Sequence, residues 1–294
     1  MDPVDTLCHY TTAEAALDHI IPEATLRMSP YSRMRDPLEN RELTFTGTLP
    51  LDGQPEDVVL DELTDLMDDA EHRIRRIRNQ MLLLSFTVDA TEGYDAGDEP
   101  FMRAWARARM WEQYASNHEG VCIAFDRERA LGNLNARLHT LGSPTLGDVV
   151  YTARGFRGTD AATLPLASFR ASDSGIAAWV VSHEKDLFFT KTRDWQTEHE
   201  YRVTIFTDKT ADDGYLCVPF GGADSVRAVI LGEHFPQAQV AAAQAICQRA
   251  GVELLMVVWS AGAPRLIPSD SAEHRRPDGG FSEPLGPEDV LDTE

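Results

Sequence analysis

The sequence predicts an α+β protein: a mixed β-sheet with flanking helices and helical insertions. Three observations lead there. Apolar runs with strand character, such as MLLLSFTV and VCIAFD, are interspersed with stretches whose apolar residues recur at helical spacing. A strand–helix–strand unit fills residues 226–259, and no repeat period or clean linker interrupts the chain. With 294 residues, 43% of them hydrophobic, the chain is long enough to bury a sizeable core. We expect one domain over 1–262 with insertions at about 51–80 and 133–176, then an acidic, Pro/Gly-rich tail over 263–294.

The elements follow in order. LCHYT reads as a short strand and TAEAALDHII as a helix, with Thr12 placed to cap it, so His9, Tyr10 and Thr11 end a strand that feeds a helix. A turn at Pro22 and a second short strand, TLRMS, come next. Residues 51–80 carry helical spacing and pass from acidic to basic, matching the helix dipole. MLLLSFTV is a buried strand; after the polar segment 89–100 come a helix, MRAWARARMWEQYASN, a turn at Glu119-Gly120 and the strand VCIAFD. The stretch from about 133 to 165 is Gly- and Thr-rich with a short strand at DVVYTA, and 167–189 reads as helical. KTRDWQTEHEYRVTIF then runs from a polar loop into an alternating strand, followed by the acidic turn DKTADDG and the strand YLCVPF. VRAVILG, FPQAQVAAAQAICQRAG and VELLMVVW form the last unit, and the chain from Ala263 onward reads as loosely ordered.

Composition narrows the function classes. The formal net charge of −21 disfavours generic attraction to nucleic acid or anionic membrane, which requires neutralising Lys and Arg. Cys8, Cys122, Cys217 and Cys247 are far apart and form no zinc or disulfide spacing, so we expect free thiols and no metal. The opening MDPVDTLCHY has no basic stretch followed by an apolar one, and no apolar run nears the roughly 20 residues a membrane helix needs. A soluble, cytoplasmic protein is the expectation.

Three segments hold residue types that suggest chemistry, each beside a plainer alternative. His9 in an apolar strand is either functional or a hydrogen-bonded core histidine. Trp111 and Tyr114, three apart, share a helix face, where they pack into the core or sandwich a flat ring. Glu198 and Glu200 alternate with His199 and Tyr201 on a predicted strand, so both carboxylates face one way with Arg202 next along; the alternative is an exposed edge strand with a charged face. Arg103, Arg107 and Arg109 give one helix a basic face able to hold phosphates or simply solvated. Breaking an N-glycosidic bond takes a ribose through an oxocarbenium-like state, which a carboxylate at the 2′-hydroxyl stabilises. A strand-borne Glu together with a ring-clamping aromatic suits that reaction.

The order of HYT on a first strand, a strand and helix bearing a tyrosine, and a strand opening in Glu-Tyr resembles the His–Tyr–Glu arrangement of diphtheria-toxin-like and poly(ADP-ribose)-polymerase-like ADP-ribosyltransferases. The resemblance implies their split mixed sheet, NAD as substrate, and transfer of ADP-ribose to a macromolecule. It assigns NAD contacts to His9 and Thr11, with Tyr10 standing where the family usually has Gly. Tyr114 would stack on nicotinamide, with Trp111 or Phe86 as a second ring, and Glu200 would be the catalytic carboxylate. Glu198 matches the Glu-x-Glu pair of arginine-modifying relatives and, with Arg202, would position the acceptor. HYTT, TLRMSPYSRMRDPLENRE, MWEQYASNHEGVCIAFD, DWQTEHEYRV and VRAVILGE resemble a bacterial family known as domain-of-unknown-function family 2971, across roughly residues 7–260. Near the second strand that family typically has Asn-Asp-Pro-x-Glu, where this chain has Arg35-Asp36-Pro37-Leu38-Glu39, departing at Arg35; either Arg33 and Arg35 face the NAD phosphates or Asp36 simply caps a turn before Pro37. Transfer to water, making an NAD glycohydrolase, and a binding module without turnover are the alternatives. By analogy with the superfamily the chain would be a toxin or antiphage effector, with an antitoxin or regulator as partner.

Overall fold

The computed structural model describes residues 5–34, 45–47, 56–91, 95, 97–164, 173–207, 210 and 214–270. Arg35, Asp36 and the tail beyond 270 lie outside the described residues. The strands in chain order are β1 (Thr6–Thr11), β2 (Thr25–Pro30), β3 (Thr46–Gly47), β4 (Met81–Val88), β5 (Val121–Asp126), β6 (Pro144–Asp148) and β7 (Val150–Thr152). They continue with β8 (Thr163–Leu164), β9 (Thr190–Thr192), β10 (Glu200–Phe206), β11 (Leu216–Pro219), β12 (Val226–Leu231), β13 (Leu254–Ser260) and β14 (Ala263–Pro268). Helices and a mixed sheet thus coexist, and the chain divides into two compact units.

The first unit comprises Met1–Ala24, Asp89–Glu128 and Gly222–Glu294. Its strands run β1-β5-β12-β13-β14, antiparallel except for the parallel pair β12 and β13. A parallel pair needs a crossover, and the helix Gln237–Ala250 supplies it. That helix stops at Gly251 in the left-handed region (φ 72), whose N–H reaches back to the Cys247 and Gln248 carbonyls. β14 occupies the first residues of the segment read as tail, pairing with β13 from Ser260↔Ala263 to Leu255↔Pro268. At the other end, Thr12 Oγ1 accepts the Ala15 N–H (3.1 Å), as the capping pattern predicts. The reversal expected at Pro22 comes two residues later, at Ala24 (φ 52).

The helix expected over 102–117 is broken into Glu99–Met102, a 3-10 turn Ala104–Ala106 and Ala108–Tyr114. Asp89 is the cause: its carboxylate accepts the Ala104 N–H (2.6 Å) and Arg103 Nη1 (2.9 Å), taking the backbone donor that a continuous helix would use and leaving Arg103 extended. Met110, Trp111, Tyr10, Ala124 and Ile230 pack together beneath these pieces.

After Tyr114 the chain turns through three consecutive left-handed residues, Ser116, Asn117 and His118 (φ 49, 54 and 68). The turn is pinned by Gly232 N–H to the Gly120 carbonyl and His234 N–H to the His118 carbonyl, both 3.0 Å. A Cβ at Gly232 would lie 2.0 Å from the His118 oxygen, and one at Gly120 would lie 2.4 Å from the Thr11 oxygen.

The second unit comprises Thr25–Val88 and Arg129–Gly221. Its main sheet is antiparallel, β11-β2-β4-β10-β6, with two small parallel pairs, β7 with β9 and β3 with β8. The helices Glu56–Arg78 and Asp173–Ser182 and the aromatics Tyr31, Trp179, Phe188 and Phe189 build its core. The helix Arg127–His139 occupies part of the stretch read as irregular, with Ala130, Leu134 and Leu138 buried at a four-residue repeat. None of the described helices is long and apolar enough to cross a membrane.

The Gly232 contact is with backbone, so no rotamer change relieves it. Gly232→Ala should lower unfolding stability by about 1–3 kcal/mol, and chemical denaturation monitored by circular dichroism measures it; an unchanged midpoint would show that the turn yields freely.

Candidate functional site

β10 carries two buried charged side chains, Glu200 and Arg202. Its residues alternate, with Tyr201, Val203 and Ile205 on one face and Glu200, Arg202 and Thr204 on the other, a polar/apolar pattern that in sequence suggests a solvated side. The strand is instead internal, hydrogen-bonded to β4 along one edge and β6 along the other. Both faces are covered, and Arg202 has no exposed surface. The alternative of a charged edge strand is therefore ruled out; the polar face is an internal network.

Glu200 opens that network. Arg202 grips its carboxylate with two parallel bonds, Nε to Oε1 (2.8 Å) and Nη2 to Oε2 (2.9 Å), while Nη1 donates to the Phe188 carbonyl. Ser85 Oγ, on the β4 residue that faces Arg202, donates to Oε1, and Lys191 Nζ lies 2.8 Å from Oε2. The Glu200 N–H donates to the Tyr151 hydroxyl oxygen (2.9 Å), and its carbonyl accepts from Val149.

Glu198 reaches the same lysine by another route. It ends the 3-10 turn Arg193–Glu198 and is not on the strand, as the alternating pattern had suggested. His199 adopts a left-handed conformation (φ 43), and across this kink both carboxylates meet Lys191, Glu198 Oε2 at 2.9 Å. Trp195 places its ring 5.2 Å from the same ammonium. Two acids and two bases, all buried, so form a neutral cluster.

Burial alone would raise the Glu200 carboxyl, but the guanidinium of Arg202 and the ammonium of Lys191 outweigh it and hold it at about 2. The adjacent Tyr151 phenol moves the other way, pushed above its ordinary value by burial and then by the Glu200 charge. A further network extends along the strand: Thr204 Oγ1 donates to Glu184 Oε1 (2.9 Å) and Thr145 Oγ1 to Glu184 Oε2 (2.6 Å).

Of the other residues singled out, Tyr10 and Trp111 are in the core of the first unit. Tyr10 donates to the Ala104 carbonyl (2.6 Å), Trp111 Nε1 to the Trp105 carbonyl (2.8 Å), and their rings meet edge to face at 5.1 Å. His9, Thr11 and Tyr114 are half-buried in the same unit. Phe86 is buried in the second unit opposite Tyr201. Arg33 is exposed there, its guanidinium 4.6 Å from the Tyr215 ring centre, with Arg27 4.3 Å from the same ring. The expected basic face of Arg103, Arg107 and Arg109 does not form: Arg103 pairs with Asp89, Arg107 is buried, and Arg109 is exposed.

Ser85, Tyr151 and Lys191 are missing from the sequence-based site. Ser85 carried a signal, being with Thr87 one of two hydroxyl residues in the otherwise apolar MLLLSFTV. Lys191 and Tyr151 had none, because their partnership comes from the parallel pairing of β7 with β9, where they are directly matched. Among the described residues no cluster of three or more His, Cys, Asp or Glu side chains is placed to hold a metal.

Residues 110–203 match the family described as Protein of unknown function (DUF2971). The match covers about a third of the chain, from the helix that bears Trp111 and Tyr114 to the middle of β10, so Lys191, Glu198, Glu200 and Arg202 all fall within it. Neither a curated protein nor a solved structure matches.

The depressed Glu200 value has a signed consequence. A carboxylate titrating lower when folded contributes stability above its ordinary value of 4.5, and that contribution is lost as pH falls towards 2. The stability gap between wild type and Glu200→Gln should narrow by roughly 3 kcal/mol across that window, as denaturant titrations at stepped pH measure. A gap independent of pH would mean that Glu200 is not ionised through these bonds.

Proposed function

We propose that the chain breaks the nicotinamide–ribose bond of NAD⁺ and transfers ADP-ribose to a macromolecular acceptor, with Glu200 as the catalytic carboxylate. The observation that carries this reading is the state of Glu200: an acid at the head of an internal strand, held ionised far below neutral pH by Arg202 and Lys191. Stabilising an oxocarbenium-like ribose calls for a negative charge that is permanent, rigidly held and shielded from water. The motif order around His9, Thr11 and Tyr114 supports the NAD⁺ assignment.

One observation favours a second reading, a binding module without turnover. Both oxygens of Glu200 already accept hydrogen bonds from Ser85, Arg202 and Lys191. A carboxylate offers about four acceptor positions, so this one is filled, as a purely architectural acid would be.

Turnover separates the two. Because the charge acts mainly on the cationic transition state, Glu200→Gln should bind NAD⁺ with near-normal affinity and release nicotinamide roughly 100- to 1000-fold more slowly. The assay must be run below the variant's melting midpoint, since the change leaves Arg202 and Lys191 with one fewer counter-charge. Wild-type protein that binds NAD⁺ calorimetrically but never releases nicotinamide establishes the binding module instead. Tyr114→Ala should weaken NAD⁺ binding by on the order of 1 kcal/mol, about five-fold in Kd, through lost ring stacking; unchanged affinity would remove Tyr114 from the reading.

A further inference from the structure

Glu200 is saturated, so a ligand hydroxyl reaches its carboxylate only by displacing a group already there. The three donors differ in what displacement requires. Arg202 is wholly buried, sits on the same strand, and spends Nε and Nη2 on Glu200 while Nη1 is tied to the Phe188 carbonyl. Moving it breaks all of these bonds at once. Ser85 turns about a single bond on Oε1, the oxygen it shares with Arg202 Nε. Lys191 is different: its ammonium carries three donors on a flexible four-carbon stem and already bonds a second carboxylate, Glu198 Oε2, at 2.9 Å.

We propose that Lys191 is the exchangeable partner of Glu200 and Glu198 its alternative acceptor, so that a sugar hydroxyl of the substrate takes the position on Glu200 Oε2 that the ammonium leaves. This rests on reading Glu200 as the carboxylate that acts on NAD⁺. The exchange is charge-neutral. The ammonium stays paired with Glu198, the Glu200 charge stays paired with Arg202, and the arriving group is a neutral donor. Lys191 and Glu198 are thus positioning residues: they act through Glu200 and set how readily substrate gains access to it.

A structural role and a gating role separate in steady-state kinetics of nicotinamide release with NAD⁺ varied. Without a charged acceptor at position 198, Glu200 is the carboxylate left to the ammonium beside the Trp195 ring, so Glu198→Gln should raise KM by about ten-fold while leaving kcat within about two-fold, the signature of lost ground-state access. Deleting Lys191 as well removes the competitor, so Lys191→Met/Glu198→Gln should return KM to the wild-type value or below. The double variant removes both charges of the pair, whereas Lys191→Met alone takes a counter-charge from the buried Glu198, so the double variant should melt higher than Lys191→Met. Glu198→Asp, which keeps the charge but draws it back from the ammonium, should raise KM less than Glu198→Gln and serves where the neutral variants fold poorly. A double variant with KM as high as Glu198→Gln, or a Glu198→Gln defect confined to kcat, overturns the gate. Those outcomes are distinct from failure of the underlying reading, which shows as normal nicotinamide release by Glu200→Gln or none by wild type, and which takes the gate with it.

Discussion

Burying two carboxylates and two cations is the constraint on which the second unit is organised. Each ion loses its hydration, and the penalty is several kcal/mol apiece even after relaxation, so the arrangement stands only while every charge is matched and hydrogen-bonded. Glu200, Arg202, Lys191 and Glu198 meet that condition, with Ser85 and the Phe188 carbonyl completing it. The requirement reaches outward. It fixes the register of β10 on β4, because Ser85 must stand opposite Arg202, and it ties β9 to the start of β10 through one ammonium. Apolar packing fills space around such a cluster but does not dictate alignment with the same strictness, since hydrophobic contacts are non-directional.

The same constraint determines what the site offers chemically. A carboxylate enclosed by a guanidinium and an ammonium remains charged across physiological pH, so it is suited to electrostatic stabilisation and poorly suited to shuttling a proton. Tyr151 beside it is held as a neutral phenol, reinforcing that division. The acid at Glu198 shares a partner with Glu200 without sharing its strand, and the left-handed His199 makes this possible by turning the chain between them.

Much of this was legible in the sequence. β1, β4, β5 and the β12–helix–β13 unit were evident from apolar runs and their periods, and Thr12 announced its helix through capping chemistry. What was hidden had physical causes. The helix Arg127–His139 carries Gly132, Asn133 and Asn135, weak helix formers that masked the four-residue repeat of Ala130, Leu134 and Leu138. The helix at 102–117 looked continuous because Asp89, which breaks it, lies well upstream. β10 misled most: alternation indicates two unlike faces, and nothing local reveals that the polar one is enclosed. Glu200, Glu198 and Arg202 were named, yet Lys191 was not, since its role arises from strand pairing between distant segments.

The first unit is assembled from three separate stretches of chain, with the whole of the second unit encoded between them. On a ribosome delivering on the order of ten residues per second, β1 therefore emerges long before β5, its partner within the first unit. It pairs with β5, which in turn pairs with β12. Within its own unit the strand that bears His9 waits for β5 through synthesis of β2, β3 and β4, and the strand order of that unit is completed only when β12, β13 and β14 arrive. Truncation late in translation would leave such a chain with its second unit encoded in full and its first open, an unpaired strand edge exposed.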